Sequence, residues 1–73
     1  NPNSVSDAGV AAEAALAGLR GARLNVLINL DGIDDGIFCN EMTKKVDTLL
    51  KKGESFHGKV VEEVDQVMKG GNG

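Results

Sequence analysis

The sequence predicts an all-α protein, an antiparallel two-helix hairpin that pairs into a four-helix bundle. Three observations predict it. Apolar residues recur with a mean step near the helical 3.6 along both halves of the chain. Leu30 to Gly36 (Leu-Asp-Gly-Ile-Asp-Asp-Gly) holds two Asp-Gly steps, the densest turn signal present. The apolar stripes are also wider than one helix–helix seam can hide. The alternative is a three-helix arrangement with a break near Gly53–Gly58.

Bulk properties narrow the class. Seventy-three residues make one domain, 1–73, too small for a large core of its own. One cysteine, Cys39, excludes an intrachain disulfide, and one histidine, His57, leaves a Cys/His zinc site without ligands. Oligomerisation is the remaining support for so small a fold. The net charge of −3 argues against nucleic acid and against an anionic membrane surface. The opening Asn-Pro-Asn-Ser lacks the features of a signal peptide, and no apolar run is long enough to span a bilayer. The expectation is a soluble protein, cytoplasmic or secreted without a classical signal peptide.

In the first arm, residues 1–5 read as a disordered leader, and Ser6 is the better N-cap, with Asp7 in the first turn where the helix dipole favours a carboxylate. Val5, Ala8, Ala12, Ala15, Leu19, Ala22, Val26 and Leu30 then form the apolar stripe, widened by Leu16 and Leu27. Small pairs four apart (Ala11/Ala15, Ala14/Gly18, Ala17/Gly21) let a partner backbone come close, while Glu13, Arg20 and Arg23 exclude a membrane setting. Gly9, Gly18 and Gly21 each cost about 1 kcal/mol of helix propensity against Ala. Leu24 to Leu30 alternates like a strand, but no partner strand exists, so the helical reading is kept.

At the pivot, Gly32 is placed to end the first helix in the left-handed conformation, Asp34 to cap the second, and Asp35 to lie near its positive end. A calcium loop fails on register. With Gly36 as its sixth position, Ile33 and Met42 fall at the third and twelfth, where oxygen ligands belong.

The second arm carries Phe38, Met42, Val46, Leu49, Gly53, Phe56, Val60, Val64 and Val67 at helical spacing without a phase slip. Unbroken phase favours one long helix over two. Acids four residues before bases at Glu41/Lys45, Asp47/Lys51 and Asp65/Lys69 support it by roughly 0.2–0.5 kcal/mol each and mark a solvated face. His57 falls beside Phe56 near the seam edge as a half-buried structural histidine, and residues 70–73 are expected to fray.

Folding the arms about Ile33 sets Phe56 near Val10 and Ala12, and Leu27 and Leu30 near Phe38 and Met42, large residues against small. The interface residues expected from this pairing are Ala12, Leu16, Leu19, Val26, Leu27, Met42, Leu49, Phe56, Val60 and Val64. The partner is a protein, a second copy or another helical chain.

No catalytic set, phosphate loop, metal site or cofactor site is legible. Cys39 sits among Asp34, Asp35 and Glu41, which dull a thiol, so it reads as a small semi-buried residue or a link across a dimer.

A pair of helices joined by a short Gly-containing turn resembles the WXG100 (ESAT-6-like) family of type VII secretion. The nearest matches to its Trp-x-Gly turn are Leu30-Asp31-Gly32 and Asp34-Asp35-Gly36, and Val61 to Asp65 keeps the acidic end of its secretion signal. The resemblance implies a dimeric secretion substrate or adaptor without catalysis. Together with the helix pattern and the absence of a catalytic motif, the function expected is a non-enzymatic helical interaction module forming a homo- or heterodimer. The alternatives are a self-assembling structural subunit or a coiled-coil fragment of a larger protein.

Overall fold

The computed structural model describes residues 2–70. Helix α1 spans Pro2–Leu30 and helix α2 spans Gly36–Gly70, with no strand among the described residues. Gly9 against Val64 at one end and Arg23 against Asp47 nearer the other make the pair antiparallel. Leu24 to Leu30 is helical, and α2 passes through Gly53–Gly58 unbroken, which removes the three-helix alternative. Unbroken apolar phase outweighs the propensity cost of two glycines once one side of the helix is covered.

Helix α1 begins at Pro2, ahead of the expected Ser6 cap, so Asp7 lies beyond the first turn. A proline suits a first helical position, because its fixed φ matches the helix and its missing N–H would have no intrahelical partner there. Helix α2 includes Gly70; the fraying expected of Gly71 to Gly73, and the disorder expected of Asn1, lie outside the described residues.

The reversal is spread over several residues. The Asp31 amide donates to the Leu27 carbonyl at 3.3 Å, and the Ile33 amide donates to the Leu30 carbonyl at 3.0 Å. No glycine has a positive φ among the described residues, so Gly32 does not end α1 in the left-handed conformation. Asp35, not Asp34, caps α2. Its Oδ1 accepts from the Phe38 amide at 3.0 Å, and its carbonyl accepts the first helical bond from Cys39 at 2.9 Å.

Buried and half-buried side chains define the seam. On α1 they include Val5, Gly9, Ala12, Leu16, Leu19, Arg23, Val26 and Leu30; on α2 they include Cys39, Thr43, Val46, Leu50, Gly53, His57, Val60 and Val64. Both runs advance by alternating steps of four and three, a period of about 3.5, which is the seam of two helices wound around each other. The 3.6-residue stripe read from the sequence therefore corrects in part. Phe38, Leu49, Phe56 and Val67 are exposed, and Cys39, Thr43, Leu50 and His57 face α1 instead. Likewise Ala8, Ala15 and Ala22 lie outside the α1 seam, which takes Gly9, Leu16 and Arg23. An apolar count is blind to Gly9, Arg23, Thr43 and His57 as seam residues, and a 3.6-residue step drifts off Leu16, Cys39 and Leu50, which a 3.5-residue seam reaches.

Facing pairs centre the hairpin on about Gly36 rather than Ile33, so Phe56 stands level with Ala15 instead of Val10. The first turn of α2 rises past the end of α1, and the connection packs against it, with the Cys39 thiol 3.5 Å from the Leu30 carbonyl. Leu16, at 6% exposure, is the one buried side chain among the described residues.

Candidate functional site: two faces of one seam

The seam divides the hairpin into two broad faces. One residue after each leading seam position lies a polar flank. Here Glu13 and Arg20 on α1 meet His57 and Glu54 on α2, and Arg23 meets Asp47. Glu13 Oε1 lies 2.7 Å from His57 Nε2. Arg23 Nε donates to Asp47 Oδ1 at 2.7 Å, and Arg20 Nη2 lies 3.5 Å from Glu54 Oε2. The Asp47 carboxylate, expected to support Lys51 along its own helix, therefore reaches across the seam.

The other flank is apolar. Ala8, Ala15 and Ala22 of α1 stand across from Phe56 and Leu49 of α2, with Glu63 near Ala8. Between them run three shallow hollows. The middle one, about 240 Å³, is lined by Ala12, Ala15, Leu16, Leu19, Gly53, Phe56, His57 and Val60. It lies on the alanine side because Gly53 gives no side chain to fill it, and Leu19 leans directly onto the Gly53 backbone. Phe56 is 68% exposed and Leu49 54%, so their large side chains border the hollows without filling them. The Lys59 ammonium sits 5.8 Å from the Phe56 ring centre, a cation–π contact at the wet edge of this face.

The expected interface residues divide between these features. Ala12, Leu16, Leu19, Val26, Val60 and Val64 lie in the intrachain seam, and Leu27 is half-buried at the edge of the polar flank. Met42 is half-buried, while Leu49 and Phe56 are exposed on the apolar face. Cys39 is a half-buried free thiol whose Sγ donates weakly toward the Leu30 and Ile33 carbonyls.

Chemically, the most capable pair is Glu13–His57. A carboxylate on Nε2 fixes the ring and leaves Nδ1 as the second proton site, the arrangement used by histidine bases. The sequence placed His57 at the seam edge but offered no partner, because Glu13 lies 44 residues away and only the hairpin register joins them. No group of three or more metal-binding side chains occurs among the described residues. No helix among them is long and apolar enough to cross a membrane.

Comparison with known proteins gives this geometry a context. The family model of formiminotransferase-cyclodeaminase matches residues 1–48, from the start of α1 well into α2. The chain belongs to this family. A methenyltetrahydrofolate cyclohydrolase from Methylorubrum extorquens is 44% identical over 64 residues, covering 88% of this chain and 31% of that protein. The chain thus spans about a third of the length of this curated relative. No solved structure matches.

These findings overturn the WXG100 resemblance with its secretion substrate or adaptor, and likewise the separate expectation of a non-enzymatic interaction module with its structural-subunit or coiled-coil alternatives. The expectation that the chain is no enzyme falls with them, since the relative carries the name of one. The physical reason is plain. A hairpin shape follows from a seam and a turn, and many unrelated functions share it. Without Trp-x-Gly or the tyrosine of the secretion signal, shape alone carried the resemblance.

Proposed function

We propose that this chain is the helical-hairpin part of an enzyme of the methenyltetrahydrofolate cyclohydrolase kind. The observation that carries the reading is the 44% identity to that enzyme along 88% of the chain. In such a reaction water adds to the cationic methenyl carbon and one C–N bond of the bridging ring opens as the added oxygen becomes a formyl carbonyl; of water's two protons, one ends on the freed ring nitrogen and the other is released to solvent. The polar flank supports this chemistry. His57, oriented by Glu13 at 2.7 Å, takes the proton from water and returns it to the nitrogen. Arg20 and Arg23 on the same flank hold carboxylates of their own chain, which keeps the face polar and ordered.

The hairpin is completed by further helices into a four-helix bundle, so its partner is protein. Support comes from the apolar residues left open by a single seam, Val10, Leu24, Ile28, Leu49 and Phe56 among them, which call for cover.

The test is the loss of the ultraviolet absorbance of 5,10-methenyltetrahydrofolate on adding the purified protein. The expected result is hydrolysis faster than buffer alone, reduced about 100-fold in His57→Gln with helix content unchanged by circular dichroism. Hydrolysis at the buffer rate by folded protein would overturn the reading.

A further inference from the structure

We propose that the outer face of α2, turned away from α1, is a docking surface for an acidic helix of a partner protein, seated between two rows of lysines.

The rows follow from the seam. Because the seam repeats every seven residues, a column of α2 at that spacing runs straight along the hairpin instead of winding round it. Lys45, Lys52 and Lys59 form one such column, and Lys44 and Lys51 form a second. Thr48 and Ser55 lie on the midline between them, and all seven side chains are exposed. At 1.5 Å per residue, the five ammoniums spread along about 22 Å.

No carboxylate of the protein neutralises them. Every ion pair among the described residues uses an arginine or the histidine, never a lysine. The two acids within this span, Asp47 and Glu54, reach across the seam instead, where Arg23 and Arg20 hold them at 2.7 and 3.5 Å. Lys51 thereby loses the helical partner that its spacing from Asp47 offers. Five of the chain's eight basic residues are thus gathered on one face of a protein whose net charge is −3. Like charges along a helix repel, and an occupant that brings carboxylates relieves the repulsion.

The midline sets the kind of occupant. Glu41 and Glu62 close it at its two ends, about 31 Å apart along the helix. A nucleic-acid duplex or an anionic membrane runs on past both glutamates and meets their charge. A short helix fits between them. Its carboxylates at seven-residue spacing rise in step with the lysines, and basic residues at its ends meet Glu41 and Glu62. Thr48 and Ser55 are small hydroxyl donors, so the helix can settle between the rows. Neither row carries an arginine or an apolar residue, which suits a contact held by charge and sensitive to salt.

Fluorescence anisotropy tests the proposal with an alanine-rich helical peptide of about 22 residues, carrying a glutamate pair in each central heptad and a lysine at each end. The peptide should bind the unmodified protein, and binding should weaken about tenfold or more between ~50 and ~300 mM NaCl. Replacing Lys45, Lys52 and Lys59 together by Gln should raise the dissociation constant by about tenfold or more, with helix content unchanged. Lys69→Gln, beyond the closing Glu62, should leave it unaltered. Lysine acetylation with and without peptide reads the same surface in the unmodified protein, should the triple variant fail to fold. Lys45, Lys52 and Lys59 should be protected and Lys69 should not. No binding, or protection shared equally by Lys69, overturns the docking surface. Equally tight binding of a peptide with its glutamates gathered at one end, or tighter binding of a DNA duplex, overturns an acidic helix as its occupant. None of these readouts depends on folate turnover, so their failure leaves the cyclohydrolase reading standing.

Discussion

The two broad faces of the hairpin are built by the same two helices and differ only in what stands on either side of the seam. On one side Glu13, Arg20 and Arg23 reach carboxylate or imidazole partners on α2. On the other, Ala8, Ala15 and Ala22 reach nothing that fills the gap, and Phe56 and Leu49 project past them. The polar face is satisfied within one chain. The apolar face is not, since exposed aromatic and aliphatic surface remains favourable to bury at roughly 25 cal/mol per Å². The hairpin therefore has one face closed by its own side chains and one face left open.

Substitutions at the seam should hurt both faces at once. Leu16→Ala removes the one buried side chain among the described residues, and should lower stability by about 2–4 kcal/mol in denaturant unfolding. Gly53→Leu acts on the apolar side, because any Cβ there would overlap the Leu19 side chain. Leu19 must swing into the hollow, at a cost of about 1–3 kcal/mol in thermal melts. Gly58→Leu is the contrast, having nothing within 4 Å of a built Cβ, and should raise helix stability by up to about 1 kcal/mol.

Smaller effects separate the polar face and the turn. Asp35→Ala deletes the cap on the Phe38 amide, and should cost about 1 kcal/mol, read from the melting midpoint. Asp47→Ala breaks the ion pair with Arg23, whose side chains are 32% and 44% exposed. The loss should stay below about 1 kcal/mol and fade as salt is raised to 1 M. A large, salt-independent loss at Asp47 would mean the polar face is more enclosed than a lone hairpin makes it.

Much of the fold was legible before any coordinates. Apolar recurrence without a phase slip marks two long helices, and Asp-Gly steps mark the reversal. The seam itself was only partly legible. Arg23, Thr43, His57 and Gly9 occupy seam positions, and none of them registers in an apolar pattern. Cap assignment missed by one residue, Asp35 for Asp34, because adjacent aspartates are equivalent until the helix start is fixed. The polar flank was not legible at all. Glu13 and His57, or Arg20 and Glu54, are joined by register alone. Function was misread for a related reason, since helix and turn patterns describe a shape that many activities share.

Sequence by itself determined that the chain is helical and that it reverses near residues 31–35. Local propensity, hydrophobic period and turn chemistry act over a few residues, so they can be read directly. Only the tertiary structure decided which side of each helix faces the other and where along the chain the arms meet. That choice rests on Leu19 against the bare backbone of Gly53 and on side chains closing across the seam. Those contacts join residues far apart in the chain, and they leave Phe56 and Leu49 outside, on the face that remains open.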